Sequence, residues 1–191
     1  FWMVPYDLQG LIDSIGGKEA AEKRLDEMFR RLDASYGDEW FASGNEPSFQ
    51  IPWIYNWAGA PYKAQQVIRR ILNEQYSSRV NGLPGNDDLG SMGAWYVFAS
   101  IGLFPEIPGV GGFSVNSPVF RKIVLHLPEG DVIIKGGDEK KEYIHSLSLD
   151  GKKMEGTWID WSDLYRGATL EYKLSGKPDK TWGTRICLLY T

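Results

Sequence analysis

The sequence is poor in cysteine and in long apolar runs, and basic residues do not predominate. The single cysteine, Cys187, excludes an intramolecular disulfide framework, so the fold must be stabilised by its core. No apolar run comes near the about 20 residues that cross a bilayer, so no membrane span is expected. Acidic residues outnumber basic ones by 25 to 21, and the net charge of −4 argues against nucleic-acid binding.

Aromatic residues, by contrast, are abundant. They make up 14% of the chain and include 8 tryptophans and 10 tyrosines. Such rings pack protein cores, and they also stack on the C–H faces of sugars. Hydrophobic residues account for 42% and charged residues for 24%, a composition typical of a globular protein. The sequence opens at Phe1 without an initiator methionine or a signal peptide, and we expect it to be part of a longer polypeptide.

The first part of the chain has the apolar spacing of helices. Apolar residues recur at helical intervals up to about residue 104, while Gly16-Gly17 marks a helix end and Pro61 a helix start. Helices paired through loops rich in glycine, proline and asparagine favour an all-α layer, as in a toroid of helical hairpins. The four predicted helices rest on these apolar sets: Leu8, Leu11, Ile12 and Ile15; Ala21, Leu25, Met28, Phe29 and Leu32; Ala64, Val67, Ile68, Ile71 and Leu72; Met92, Trp95, Tyr96 and Ala99.

After residue 112 the apolar period changes to two, which indicates strands. Asp150-Gly151 is typical of a two-residue hairpin. Several short strands at this spacing predict an antiparallel sandwich. We therefore predict an α+β fold, with a helical segment over residues 1–112 and an antiparallel β region over residues 113–191. Strands are predicted over residues 123–127, 131–135, 146–149, 157–161, 168–174 and 185–190.

Two loops place carboxylates among glycines and aromatics just ahead of helical segments. GNEPS, residues 44–48, precedes IPWIYNW, and GNDDLG, residues 85–90, precedes SMGAWY. Glu46, Asp87 and Asp88 are the candidate reactive groups. Each also has an ordinary structural interpretation, because Asp87 or Asp88 could cap the following helix and Glu46 could be a solvated loop acid.

Other polar and aromatic features also have structural interpretations. The alternation of Trp53, Tyr55 and Trp57 is typical of a buried core segment. The Asp-Asp-x-Gly run is loosely similar to a metal loop but lacks the regular oxygen ligands of a calcium hand. His126 and His145 lie in strand patterns, where a packed or surface histidine is expected rather than a metal ligand. No nucleophile-elbow motif supports a Ser/His/Asp triad.

The longer motifs resemble those of glycoside hydrolase family 92, the exo-acting α-mannosidases. The resemblance rests on GNEPS with IPWIYN, residues 51–56, and on GNDDLGSMGAWY, residues 85–96. It continues through GLFP (residues 102–105) and SPVF (117–120). It returns in YIHS (143–146), LDG (149–151), KP (177–178) and WG (182–183). These motifs are long and unusual, and together they span almost the whole chain.

The resemblance implies a fold, a reaction and a cofactor. Members of the family have an amino-terminal β-sandwich, an (α/α)6 barrel and a calcium ion in the active site between them, and they remove terminal α-mannose with inversion. Inversion needs one acid to protonate the leaving oxygen and one base to activate water on the opposite face of the sugar. The resemblance therefore implies a mannose-containing glycan as substrate and Ca²⁺ as cofactor. It also implies a periplasmic or extracellular location in a bacterium.

Site residues follow from the resemblance position by position. Asp88 matches the catalytic base, with Asp87 as the alternative, and Asp88 is also a candidate calcium ligand. Asn86 stands where some members carry a second acid. Asn45 and Glu46 match the pair that contacts the leaving-group sugar. Enzymes selective for α-1,2 linkages tend to have His-Glu at that place, so Asn45 argues against assuming that linkage.

The general acid of the family has no match in this chain. The family carries it as a glutamate in a Glu-Gly-Asn motif just before the segment that matches residues 1–7, so we expect it in the remaining amino-terminal part of the same polypeptide. The chain is then the carboxy-terminal part of an inverting exo-α-mannosidase and is expected to be inactive alone. A non-catalytic carbohydrate-binding module, in which the aromatic-rich β region holds sugar, is the alternative.

Overall fold

The computed structural model describes residues 1–35 and 37–184 and has the predicted α+β class. Short 3₁₀ turns at Glu46–Ser48 and Ile51–Trp53 lead into the third helix, and another lies at Trp161–Asp163. None of the helices in these residues is long and apolar enough to cross a membrane. In this part of the chain the α-helices are α1 (Leu8–Ile15), α2 (Lys18–Met28), α3 (Ile54–Trp57), α4 (Pro61–Glu74) and α5 (Ser91–Ile101).

The strands of the described residues follow the helices and form two sheets. They are β1 (Leu103–Phe104), β2 (Gly112–Val115), β3 (Lys122–Leu127), β4 (Gly130–Lys135), β5 (Tyr143–Leu149), β6 (Lys152–Met154), β7 (Trp158–Asp160) and β8 (Ala168–Ser175). The smaller sheet has the order β1-β2-β7 and the larger one β3-β4-β8-β5-β6. The strand predicted over residues 185–190 lies outside the described residues.

The ends of α1 and the start of α4 are set by residues with specific backbone preferences. Asp7 caps α1, since its carboxylate accepts a hydrogen bond from the N–H of Gly10 at 2.9 Å. Gly16 ends the same helix with a φ of 110°, in the left-handed region. Pro61 begins α4, where its missing N–H leaves no helical donor unpaired.

The larger sheet is mixed rather than purely antiparallel. β3 pairs with β4, and β5 with β6 and β8, in antiparallel fashion, but β4 and β8 run parallel. Parallel neighbours need a long connection, and here the chain between them contains β5, β6 and β7. The predicted hairpin is confirmed, because Leu149 pairs with Lys152 across Asp150 and Gly151, which both have positive φ.

Two apolar cores meet at the end of α5. The core of the helical part also contains Phe104 of β1 and Trp158 of β7. Ile101, the last residue of α5, belongs instead to the core of the larger sheet together with Ile144 and Leu170. Each part therefore contributes side chains to the core of the other.

Arg69 on α4 fastens the helical part to the strand part. Its guanidinium group donates hydrogen bonds to the backbone oxygens of Ser117, Pro118, Asp138 and Glu139 at 2.9–3.4 Å. The residue is only 4% exposed. Buried carbonyl oxygens are costly to leave unpaired, so this one side chain holds two loops of the strand part against α4.

Candidate active site

The two carboxylate-bearing loops lie side by side because glycines face each other where the loops meet. A Cβ atom placed on Gly44 would lie 2.6 Å from the carbonyl oxygen of Pro84. A Cβ placed on Gly85 would lie 2.8 Å from the carbonyl oxygen of Gly44. Real Cβ atoms do not approach so closely, so any side chain at either position would push the two loops apart.

Asp88 and Glu46 meet beside this contact. Their side chains are hydrogen-bonded to each other, and both residues are exposed. That hydrogen bond, followed by limited desolvation and the negative charges of Glu46 and Asp87, raises the pKa of Asp88 above its ordinary value. The negative charge of Glu46 at this distance disfavours ionisation of Asp88. The structure thus brings two predicted site residues from different loops together.

Asp87 has a different role from its neighbour. Its carboxylate accepts a hydrogen bond from the N–H of Gly93, in the first turn of α5, at 3.0 Å. Its backbone oxygen accepts hydrogen bonds from the hydroxyl of Ser91 at 3.0 Å and from the N–H of Met92 at 3.2 Å. The capping interpretation therefore applies to Asp87, and the carboxyl group of Asp88 contacts Glu46 instead.

The backbone at Asp88 is strained. Asp88 has a φ of 48° and Leu89 a φ of 60°, and Gly90 follows with a φ of 88°. Residues other than glycine rarely adopt this left-handed conformation, and such strain is concentrated at functional sites. The turn places the start of α5 at Ser91, and it directs the chain so that Asp88 contacts Glu46 while Asp87 caps the helix.

Aromatic rings form the wall behind the two loops. The indole N–H of Trp95 on α5 donates to the backbone oxygen of Phe49 at 3.0 Å, which ties α5 to the first loop. Trp53 packs edge-on against Trp95 and stacks on Phe104 at 4.0 Å between ring centroids. Trp53 is fully buried. The core interpretation of the alternation around Trp53 is confirmed, since Tyr55 and Trp57 are buried as well.

Asn45 lines a cavity of about 250 Å³ next to the glycine contact. The wall of this cavity includes Gly44, Pro84 and Gln75, and Asn45 is half-buried in it. The hydroxyl of Ser43 donates to the backbone oxygen of Leu32 at 2.9 Å and is 3.0 Å from the side-chain oxygen of Gln75. These contacts fix the position of Ser43 in the cavity wall. Asn45 therefore lines this cavity, while its neighbour in sequence, Glu46, contacts Asp88.

The described residues do not by themselves form a metal site. In residues 1–35 and 37–184, no three His, Cys, Asp or Glu side chains converge to hold a metal ion. Glu46 and Asp88 offer carboxylate oxygens, which suit Ca²⁺, but Ca²⁺ takes about six to eight oxygen ligands. Asp87 uses one carboxylate oxygen on Gly93. Glu46 and Asp88 therefore suit Ca²⁺ by the chemistry of their oxygens, but they would supply only part of its ligands.

Tyr76 belongs to the aromatic wall behind the two loops, although the sequence did not indicate it. Its ring stacks on Trp95, with centroids 5.6 Å apart and an interplanar angle of 5°, and it also meets Tyr96 at 5.2 Å. Burial, and then the negative charge of Asp87, raises the pKa of its hydroxyl group. The residue follows the end of α4 without any motif around it, so nothing in the sequence connects it with the carboxylate loops.

The two histidines lie on the surface of the strand part. Nδ1 of His126 is 2.8 Å from Asp131, and Nδ1 of His145 is 3.1 Å from Asp179. Both imidazole side chains are largely exposed. The expectation of surface histidines is therefore confirmed.

Known proteins that resemble this chain are glycosidases. A family model described as the glycosyl hydrolase family 92 catalytic domain matches residues 1–176. An uncharacterized secreted glycosidase of Arthroderma benhamiae is 33% identical over 189 residues, which cover 96% of this chain and 23% of that protein.

Solved structures give the same result. A family GH92 alpha-mannosidase from Bacteroides thetaiotaomicron is 33% identical, with a TM-score of 0.88, over 96% of this chain and 25% of its own. A family GH92 inverting mannosidase from the same organism is 29% identical, with a TM-score of 0.86, over 96% of this chain and 28% of its own. The chain thus spans about a quarter of the length of the relatives it matches.

Proposed function

The chain belongs to glycosyl hydrolase family 92, and from that premise we propose that the intact protein is an inverting exo-α-mannosidase, which removes terminal α-mannose from glycans. This chain contributes the two carboxylate loops to the active site, and the rest of the polypeptide completes it. The observation that carries the proposal is the contact between Asp88 and Glu46, two exposed carboxyl groups held together ahead of α5.

Asp88 acts as the general base in this proposal. Its exposure gives a water molecule access to the carboxylate. The contact with Glu46 raises its pKa toward the pH range in which a carboxylate is an effective base. Asp87 is the weaker candidate, because one of its oxygens accepts the N–H of Gly93 at the start of α5.

Glu46 is not the general acid that works with Asp88. The acid and base of an inverting glycosidase stand about 6.5–9.5 Å apart, because a water molecule and the sugar must fit between them. Glu46 and Asp88 are instead in direct hydrogen-bond contact. We therefore assign the acid to a part of the polypeptide outside this chain, as the family resemblance implies.

Glu46 and Asn45 hold the leaving-group sugar in this proposal. Asn45 lines the cavity of about 250 Å³ beside the reactive pair, and its amide can both donate and accept hydrogen bonds. A hydroxyl-rich sugar presents both kinds of group. Glu46 lies next to Asn45 and can accept from a sugar hydroxyl while it keeps Asp88 in place.

Calcium remains a prediction for the intact enzyme. Asp88 and Glu46 would contribute carboxylate ligands, and the remaining ligands would come from elsewhere in the polypeptide and from the vicinal hydroxyls of the substrate. When bound, the ion would position the sugar and polarise its hydroxyls. An extracellular or periplasmic location is proposed as well, supported by a relative that is described as secreted.

Proton NMR of the first sugar released tests the proposal. The intact protein is incubated with an α-linked mannobiose, and the anomeric signals are followed from the start of the reaction. Inversion of an α linkage releases β-mannose first, before mutarotation. Release of α-mannose first would contradict inversion, and binding of mannobiose without hydrolysis would favour the carbohydrate-binding alternative.

The isolated chain of 191 residues is proposed to release no mannose from the same substrate, with or without calcium. A missing general acid alone slows a reaction by about 10²–10⁴-fold, and much of the binding site is missing too. Robust turnover by the isolated chain would contradict the assignment of the acid to another part of the polypeptide.

A further inference from the structure

A row of aromatic rings runs from the end of α5 to the surface of the strand part. Phe98 of α5 stacks on Phe113 of β2 at 6.3 Å between centroids, and Phe113 meets Trp161 at 6.2 Å. Trp161 lies 6.5 Å from Tyr165, with an angle of 35° between the rings. We call Phe113, Trp161 and Tyr165 the aromatic platform. Phe98 anchors its inner end in the protein.

The outer end of the platform is exposed and has a polar rim. Trp161 is 43% exposed, and Tyr165 is half-buried beside it. Ser162, Asp163 and Arg166 lie next to the rings in sequence, and all three are exposed. The guanidinium group of Arg166 lies 4.9 Å from the centroid of the Tyr165 ring. An apolar ring face next to hydrogen-bond donors and acceptors suits a ligand that has a C–H face and hydroxyl groups at its edges.

Backbone hydrogen bonds and a ring contact hold the platform in place. The N–H of Trp161 donates to the backbone oxygen of Gly111 at 3.1 Å. The backbone oxygen of Trp161 in turn accepts the N–H groups of Leu164 and Tyr165, both at 3.0 Å. Phe113 supports the indole from the side. A ring that is already fixed loses little conformational entropy on binding, which favours affinity.

The exposed apolar surface of the helical part is a better candidate for contact with the rest of the polypeptide. In the strand part of the described residues, the exposed large apolar side chains are scattered: Val110, Phe120 and Trp161. A protein interface of standard size buries about 800 Å² on each partner, far more than one half-exposed indole provides. The helical part carries most of the exposed large apolar side chains of the described residues: Phe1, Met3, Tyr6, Val80, Leu83, Leu89, Tyr96 and Val97.

We propose that the aromatic platform is a second carbohydrate-binding site, on which a pyranose ring of a mannose-containing glycan stacks against Trp161. The identity of the glycan rests on the proposed function. The platform is separate from the candidate active site, because Asp88 precedes α5 and Phe98 lies near its other end, about 10 Å along the helix axis from Ser91. The ring of Phe113 lies between the rings of Phe98 and Trp161 and adds to this separation. The platform thus binds a part of a large glycan that is remote from the sugar being removed.

Affinity electrophoresis of the intact protein in gels that contain soluble α-mannan tests the platform. The Asp88→Asn background prevents trimming of the polysaccharide. Trp161→Ala is expected to weaken mannan binding, measured by the retention constant, by about fivefold or more. This is the change expected from the loss of one aromatic stacking contact. Trp161→Phe keeps a flat ring and is expected to retain most of the binding.

Trp40→Ala is the matched control. Trp40 is a half-buried tryptophan outside the platform, with the guanidinium group of Arg31 at 4.9 Å over its ring, and its loss is expected to leave mannan binding unchanged. Equal mannan binding by Trp161→Ala and the background protein would overturn the proposal. So would a lowered Tm of Trp161→Ala with unchanged mannan binding, since that result would place the ring at a contact within the polypeptide.

Mannobiose hydrolysis by the unmodified protein reports the proposed function separately, because a disaccharide is too short to span both sites. Hydrolysis without any mannan retention that depends on Trp161 would overturn the platform and leave the enzyme assignment intact. Retention that depends on Trp161 without hydrolysis would uphold a sugar-binding platform and contradict the enzyme assignment.

Discussion

The carboxyl group of Asp88 is hydrogen-bonded to that of Glu46, a residue on a loop that leads into α3 rather than α5. The contact exists because Gly44 and Gly85 let the two loops touch. A single close approach of two backbones therefore sets the contact between Asp88 and Glu46, and the hydrogen bond made there raises the pKa of Asp88.

Asp88→Asn in the intact enzyme is expected to lower kcat by about 10²–10⁴-fold, because an amide cannot take a proton from water. The Tm is expected to stay unchanged, since the exposed side chain makes no capping bond. Asp87→Asn is the matched control, because asparagine caps a helix about as well as aspartate. Near-normal turnover of Asp88→Asn together with a large loss in Asp87→Asn would move the base to Asp87.

Glu46→Gln is expected to shift the acidic limb of the pH profile of kcat/KM to lower pH. The hydrogen bond with Glu46 is the main cause that raises the pKa of Asp88. An amide at position 46 has no charge and can donate to the carboxylate of Asp88, so Asp88 loses its proton at lower pH. Glu39→Gln removes the same charge from an exposed residue outside the pair. An acidic limb that does not move would show that Asp88 is not the group that titrates.

Glu106→Gln is expected to stabilise the protein at pH 8 and to leave it unchanged at pH 4. Glu106 is buried, and its Oε2 accepts hydrogen bonds from Ser114 and, at 3.4 Å, from the indole of Trp57. Its Oε1 has no partner among the described residues. Burial raises the pKa of Glu106 from 4.5 to about 7 despite these hydrogen bonds.

The sign of the pH effect of Glu106 follows from its raised pKa. Between about pH 4.5 and 7 the folded state keeps the proton that the unfolded state has lost, so stability falls as pH rises through this range. The loss amounts to about 3 kcal/mol when complete. Urea denaturation at several pH values measures it. Glu27→Gln, at an exposed site, is the control, and a Glu106→Gln variant with an unchanged pH slope would contradict the prediction.

Arg69→Met is expected to lower the free energy of unfolding by about 2–4 kcal/mol, because it removes the hydrogen bonds from a buried guanidinium group to the backbone oxygens of two loops. Arg30→Met is the control. Arg30 is exposed and pairs with Glu27 at 2.9 Å, and such a surface pair contributes about 0–1 kcal/mol. Equal effects of the two substitutions in denaturant titrations would show that the buried guanidinium does not join the two parts.

Chelation of divalent cations is expected to lower the turnover of the intact enzyme, and added Ca²⁺ is expected to restore it. Ca²⁺ prefers many oxygen ligands, whereas Zn²⁺ prefers fewer ligands with nitrogen or sulfur donors. Zn²⁺ is therefore expected not to restore activity. Turnover that survives exhaustive chelation would contradict calcium dependence. Steady-state rates on an aryl α-mannoside provide the measurement.

Local rules account for the parts of the fold that the sequence predicts well. The left-handed Gly16 ends α1, Pro61 begins α4, and Asp150-Gly151 turns the hairpin between β5 and β6. In each case the cause lies within a few residues, and the backbone preference of glycine or proline is strong. The burial of Trp53 likewise follows from its apolar surroundings in sequence.

The features of the fold and of the site that sequence patterns did not predict depend on long-range contacts. The parallel pairing of β4 with β8 depends on where β5 to β7 are placed, and no local period encodes that placement. The contact of Asp88 with Glu46 depends on two facing glycines in separate loops. The division of roles between Asp87 and Asp88 follows from the positive φ of Asp88 and Leu89, in a run that reads equally well as an earlier start of α5. The loop pattern picked out these residues, and the family resemblance supplied the role proposed for each.

Arg69 is not the only group on α4 that binds the strand part. The side-chain oxygen of Gln65, one turn earlier, accepts the N–H of Ile144 in β5 at 2.9 Å. These contacts do not depend on the covalent link at Gly109, which is exposed and has open space around it. A chain nicked there by a protease would remain a tight non-covalent complex. Its two pieces, produced separately, would complement each other rather than behave as independent modules.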